Sequence, residues 1–259
     1  MATTVLAIPG GHEGIGFDDI EYAPSLDLVI VPAGATMKVH FIDAKTHAIV
    51  ASAALPPVVD AGGAAKKGHS EGLTSAVYDG ARKIVVAGDR TRKVVDVLDG
   101  GTRALLSSTP LAAEPDYVRV NGDEVWVTEP HGKQIEIFAI GDDKKLTKLT
   151  AISVADGPES LVFDDSGNRA YTHAWKSQTY AIDAKGHAVT ATWSNTCARS
   201  RGVAFDAAAQ LVLVGCAEGK VVALDAATGA VKGSALAPVH DVDIIAWNPT
   251  LRHVYVPGA

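Results

Sequence analysis

The sequence is short of several things, and each shortage removes a class of function. Only 2 cysteines occur, Cys197 and Cys216, too few for a disulfide scaffold and not in a zinc-ligand spacing. No Cys-x-x-Cys-His is present, which excludes covalently attached c-type haem. Cations are outnumbered, with 23 Lys and Arg against 30 Asp and Glu and a net charge of −7. Binding to nucleic-acid phosphates needs clustered cations, and the densest basic spots here are the pairs Lys66-Lys67 and Lys144-Lys145. No apolar run approaches the roughly 20 residues that cross a bilayer. The first residues, Met-Ala-Thr-Thr-Val-Leu-Ala-Ile-Pro, carry no basic segment ahead of a short apolar stretch, so residues 3–9 read as a lone strand and not as a signal peptide. Gly10-Gly11 and Gly62-Gly63 read as turns, with no phosphate-cradling loop and lysine. Ser160 and Ser200 lack the strand–turn–helix setting of a hydrolase nucleophile.

What is present is a repeat. Apolar residues make up 47% of the 259 residues but aromatics only 6%, which suits small side chains packed between sheets. A residue in an inward strand pattern recurs at Tyr22, Tyr78, Val120, Phe163, Phe205 and Trp247, at spacings of 56, 42, 43, 42 and 42. The long first spacing holds a Pro/Gly/Ala stretch that reads as a loop inserted at 56–69. A second strand marker follows at Ile30, Val86, Tyr171, Leu213 and Tyr255, with Trp126 two residues early after the tight turn Asn121-Gly122-Asp123. A third mark is Asp43, Asp99, Asp183 and Asp225, each after an apolar strand and each able to cap a turn by accepting a backbone hydrogen bond. One unit therefore reads strand, turn, strand, loop, strand, Asp-turn, strand. Runs such as Val94-Val95-Asp96-Val97-Leu98 lack helical spacing, which removes a helical solenoid.

The expected fold is all-β: a β-propeller of four-stranded antiparallel blades forming one domain over residues 1–259. The repeats fall at about 12–56, 69–111, 112–154, 155–196 and 197–238, with a partial sixth over 239–259. An open blade edge invites aggregation, so the natural chain is expected to continue past Ala259 and close a ring of about seven blades.

The segments Trp126-Val127-Thr128-Glu129, Ala170-Tyr171-Thr172-His173 and Val254-Tyr255-Val256-Pro257 carry a specific resemblance, as does the turn Asp225-Ala226-Ala227-Thr228-Gly229. They resemble the Tyr-Val-Thr-Asn signature and Asp-x-x-Thr-Gly turn of the bacterial YVTN-type β-propeller family. The resemblance covers nearly the whole chain, although Tyr-Val-Thr-Asn never occurs intact. It implies the architecture, and it implies an exported or surface protein whose signal peptide lies outside these residues. It says little about chemistry, because one fold hosts many functions.

In such a fold the innermost strands start where loops converge. Four residues before each first-strand marker stand Asp18, Thr74, Asp116, Glu159, Arg201 and Asp243. These are the channel and ligand-binding candidates. Asp18, Asp116, Glu159 and Asp243 supply the oxygens that Ca²⁺ or another divalent cation takes. Arg201 can neutralise them or hold a ligand carboxylate through its planar fork. Polar residues at these positions also suit a water-lined channel. The acidic set is similar to that of the regucalcin/gluconolactonase family, with Glu13-Gly14 ahead of the first unit. That likeness implies a metal-assisted lactone hydrolysis, but the asparagines that would complete such a metal site are not evident, since Asn121, Asn168 and Asn248 fall in hairpin turns.

His12, His69 and His240 precede blades, and His131 and His173 follow second strands, a set with the chemistry to hold a transition metal or haem iron. The chain holds 9 histidines, and most read as surface residues. Trp126, Trp175, Trp193 and Trp247 read as packing residues. Cys197 precedes the innermost strand of the fifth unit and Cys216 follows its second strand, so antiparallel pairing brings them to one edge, where they can bridge or stand as two buried thiols; a bridge suits an oxidising compartment. The reading that follows is a non-enzymatic interaction or ligand-binding platform, periplasmic or extracellular. A metal-dependent lactonase and an electron-transfer propeller are the alternatives.

Overall fold

The computed structural model describes residues 5–11, 15–56 and 71–258. Within them lie five four-stranded sheets and one two-stranded sheet. The first sheet is β1 (Glu21–Ala23), β2 (Leu28–Ala33), β3 (Lys38–Asp43) and β4 (Ile49–Ala54). The second is β5 (Leu73–Asp79), β6 (Ile84–Asp89), β7 (Val94–Asp99) and β8 (Leu105–Pro110). The third holds β9 (Val118–Asn121), β10 (Glu124–Glu129), β11 (Gln134–Ile140) and β12 (Leu146–Ser153). The fourth holds β13 (Glu159–Phe163), β14 (Arg169–His173), β15 (Gln178–Asp183) and β16 (Ala188–Ser194). The fifth holds β17 (Ser200–Asp206), β18 (Leu211–Cys216), β19 (Lys220–Asp225) and β20 (Val231–Leu236), and the sixth is the pair β21 (Ala246–Asn248) and β22 (His253–Tyr255). Each sheet runs antiparallel in chain order. The chain forms two compact units, Met1–Val120 with Ile140–Thr147, and Asn121–Ala139 with Lys148–Ala259. No helix of the described residues is long and apolar enough to cross a membrane.

The turns follow from particular side chains. Asp43 Oδ1 accepts from the amides of Lys45 and Thr46 at 3.0 and 2.7 Å. Asp225 Oδ1 does the same for Ala227 and Thr228, at 3.1 and 2.9 Å. Bonds from the Thr228 hydroxyl and amide hold the Asp225 carboxyl down at a pKa of about 2. Four residues after each of the four turn aspartates the backbone is left-handed, at His47, Arg103, His187 and Gly229, with φ of 58°, 68°, 51° and 72°. Only the last is a glycine. The loop closes because the fifth residue's amide reaches back to the aspartate carbonyl, as Gly229 N does to Asp225 O at 2.8 Å.

The second strands are the most buried and the fourth strands the most exposed. Every residue of β6 is buried, β16 alternates, and β20 is exposed along its whole length. In the first unit Ile30, Phe41, Leu73, Val85 and Leu98 share one core. In the second, Tyr171 stacks on Phe205 with ring centroids 5.9 Å apart, and buried Trp126 meets Phe163 edge to face at 5.2 Å. Truncating a buried aromatic of this kind costs about 3–5 kcal/mol.

Two expectations change. The first-strand markers are not uniformly inward: Tyr22 is 50% exposed, and its hydroxyl donates to Asp27 in its own hairpin at 2.9 Å. The residue two earlier on the same face is the buried one at Ala76, Val118, Leu161 and Ile245, because the strand leaves the core as it nears its hairpin. Residues 5–9 form no strand; the chain turns there instead, with Gly11 N donating to Ile8 O at 3.0 Å. Residues 3 and 4, the inserted loop from 57 onward, His12, Glu13-Gly14, Gly62-Gly63, Lys66-Lys67 and His69 lie outside the described residues.

Candidate functional site

In the first unit, Asp18, Thr74 and Asp116 are drawn together by backbone. Asp18 N donates to Thr74 O at 2.7 Å, and Thr74 Oγ1 donates to Asp116 O at 3.5 Å. Arg90, just past β6, enters this group. Its Nε donates to Pro115 O at 2.9 Å, and its Nη2 donates to Asp18 Oδ2 at 2.9 Å and to Asp116 Oδ1. The three side chains are 12%, 2% and 5% exposed for Arg90, Asp18 and Asp116. A second pair lies beside it, where Arg119 Nη1 donates to Asp19 Oδ2 at 2.6 Å. Burial pushes the Asp19 carboxyl up despite Arg119, and it raises Glu21 to about 7 against the pull of the same arginine.

In the second unit, Glu159 opens β13, Arg201 lies in β17 and Asp243 precedes β21. Arg201 Nη1 donates to Glu159 Oε1 at 3.1 Å, and its Nε stands 3.8 Å from Asp243 Oδ1. Arg201 is 24% exposed and Asp243 44%, so this group meets solvent. Trp175 Nε1 donates to the other Glu159 oxygen. The indole is 37% exposed, and the His131 ring meets it edge-on at 5.5 Å. Gly202 is needed here: a Cβ on it would fall 2.4 Å from Ile245 N, so only glycine lets the Asp243 segment pass beside Arg201.

Behind Arg201 the chain is held by buried polar groups. Asn195 Nδ2 donates to Thr179 Oγ1 at 3.0 Å and to Ser200 Oγ at 2.6 Å, and Thr179 Oγ1 meets His173 Nδ1 at 3.0 Å. Cys197 and Cys216 are joined by a disulfide, with Cα atoms 5.3 Å apart. Register explains the pairing: Ser200 lies opposite Cys216 on neighbouring strands, which brings the segment before β17 across the end of β18.

Each candidate carboxylate is thus already engaged by an arginine within its own unit. A divalent cation at Asp18 and Asp116 meets the like charge of Arg90, and one at Glu159 and Asp243 meets that of Arg201. Among the described histidines, His131 lies on the open group, His240 is exposed, and His173 is buried, with desolvation driving its pKa down to about 3. These three form no metal-ligand group. The group that does converge, Cys197, Cys216 and Glu218, contains the disulfide. Sequence reasoning missed Arg90 and misplaced Trp175 as packing. Both stand four residues past a second-strand marker, Val86 and Tyr171, a position the repeat makes equivalent.

No family model and no curated protein matches the chain. Among solved structures it is similar to a chain of hydrazine synthase from Kuenenia stuttgartiensis, at 14% identity and a TM-score of 0.76, over 96% of this chain and 76% of that one. It is also similar to a chain of the mitotic checkpoint complex, at 14% identity and a TM-score of 0.77, over 100% of this chain and 82% of that one. The fold is a β-propeller. Its five complete blades are the four-stranded sheets, and the pair β21 and β22 is a partial sixth. Likeness at this identity extends to the propeller fold and no further.

Proposed function

We propose that this chain is a YVTN-type β-propeller that acts as an interaction or ligand-binding platform in the periplasm or outside the cell. The observation that carries the reading is the open group of the second unit. There a tryptophan, an arginine and a half-exposed aspartate are fixed in place beside one another. Exposed aromatic and arginine side chains with pinned orientation bind well, because little conformational freedom remains to be lost on contact. The Cys197–Cys216 disulfide supports an oxidising compartment. A hydrolase working through the acidic residues has the arginines against it, since their carboxylates are engaged in ion pairs.

The test is capture of partners from a periplasmic or extracellular fraction by immobilised wild type, Trp175→Ala and Arg201→Met. The expected result is material retained by wild type and at least tenfold reduced on both variants, with unchanged unfolding midpoints. Turnover of simple lactones by the purified protein, abolished by Glu159→Gln or Asp116→Asn, overturns the reading in favour of an enzyme.

A further inference from the structure

Beside the open group lies a pocket of about 290 Å³, lined by Pro130, His131, Lys133, Asp156, Trp175 and Lys176. All six belong to the second unit, and its walls are set by backbone. Lys133 is left-handed at a φ of 53°, with its amide donating to Pro130 O at 3.1 Å and its carbonyl accepting from Val154 N at 2.9 Å. Asp156 and Gly157 follow one another in left-handed conformation, at φ of 61° and 80°. Gly157 lies so close beneath Pro130 that a Cβ would sit 2.9 Å from the Pro130 carbonyl oxygen. On the other wall, the Lys176 carbonyl accepts from Ser200 N at 2.9 Å, and Trp175 is held through its indole N–H by Glu159.

These walls present two kinds of surface. Trp175, Pro130 and the His131 edge give a flat apolar face, kept part exposed although the indole's one polar atom is already bonded. A rigid aromatic face with its N–H satisfied inward offers its ring to a planar or apolar group. Around it stand two cations, Lys133 and Lys176, and one carboxylate, Asp156. The lysines therefore outnumber the acid in a protein whose net charge is −7. An ammonium ligand would be drawn by Asp156 and the indole face, but it would meet both lysines. A carboxylate is attracted by both and opposed by Asp156, while the Glu159 carboxylate behind the indole is paired with Arg201.

We infer that this pocket binds a small organic anion made of a flat apolar group and a carboxylate, the flat group against Trp175 and the carboxylate toward Lys133 and Lys176. The inference rests on the platform reading and gives that site its ligand class. A fit to such a ligand needs little ordering beyond the two exposed lysine side chains, because the backbone walls and Trp175 are already fixed.

Phenylacetate is the direct probe, with phenethylamine and acetate as controls for charge and for the ring, followed by calorimetry and by indole fluorescence on the intact chain. A ligand of this size in a shallow pocket is expected at a Kd of about 1 mM. Phenethylamine and acetate should each bind at least tenfold more weakly. Trp175→Ala should weaken phenylacetate at least tenfold, and so should the doubly substituted Lys133→Glu, Lys176→Glu, whose exposed positions leave the fold intact. Phenethylamine binding as well as phenylacetate overturns the anion assignment while the platform reading survives. Phenylacetate binding undiminished in both variants overturns the location. No heat and no fluorescence change with any probe removes the pocket as a ligand site, and the partner-capture experiment then decides the platform reading separately.

Discussion

The two units solve one problem, an arginine set between two carboxylates at the start of innermost strands, in opposite ways. Around Arg90 the group is closed: both aspartates are nearly inaccessible, and a second desolvated pair, Arg119 with Asp19, lies beside it. Around Arg201 it is open: Asp243 is half in water, and Trp175 replaces further charge as the neighbour of Glu159. The closed group has no spare edge to offer a ligand, and its charges must answer one another. The open group keeps a guanidinium edge, a carboxylate and an indole at the surface. An arginine between two carboxylates thus serves as scaffold in one unit and as recognition chemistry in the other, and burial together with the neighbouring Trp175 separates the roles.

That contrast can be broken by mutation. The largest effect is expected from Arg90→Met, which leaves Asp18 and Asp116 buried without their cation and should cost about 3–5 kcal/mol in urea unfolding. A loss under about 1 kcal/mol would show that the first group is hydrated. Next comes the disulfide, which ties down the segment carrying Arg201 where the first unit relies on ion pairs. Cys197→Ala with Cys216→Ala opens a loop of 19-residue separation and should cost about 3 kcal/mol. Reductant added to wild type should reproduce the shift, and an unchanged midpoint in both experiments contradicts the bridge.

A third effect is the pH dependence that Glu21 gives the first unit. Glu21 has its folded pKa raised to about 7 from an ordinary 4.5. The folded state therefore holds this proton more tightly than the unfolded chain does. The resulting stability is complete below about pH 4.5 and is lost as the pH rises through about 7, by roughly 2–3 kcal/mol. Glu21→Gln should flatten that part of the stability–pH curve; a curve still falling with the same slope would remove the assignment to Glu21. The smallest effect is expected at Arg201→Met. Water screens Asp243, and buried Glu159 keeps the Trp175 indole as a donor, so about 1 kcal/mol should be lost while ligand capture collapses.

Much of this was legible in the sequence because turn chemistry is local. Asp43, Asp99, Asp183 and Asp225 could be read as turn caps from position alone, and their side chains accept amides two or three residues on in the structure. Of the six marked positions, Thr74, Glu159 and Arg201 lie in first strands of their sheets, while Asp18, Asp116 and Asp243 fall two or three residues ahead of theirs. Partners across blades were not legible. Arg90 reaches Asp18 over a separation of 72 residues, and no local pattern announces which of 23 cations will do so. Trp175 was misread because an indole's residue type does not say which side of a strand end meets solvent. The first-strand markers were misread in burial though not in spacing, because periodicity finds a face and not how far along it the core extends.

The contrast between the groups is tested most directly by two double-mutant cycles in equilibrium unfolding, one pairing Arg90→Met with Asp116→Asn and the other Arg201→Met with Asp243→Asn. A closed scaffold and an open recognition group predict a coupling above about 2 kcal/mol in the first cycle and below about 0.5 kcal/mol in the second. Equal couplings, or a stronger one at Arg201, would contradict the division of roles between the two units.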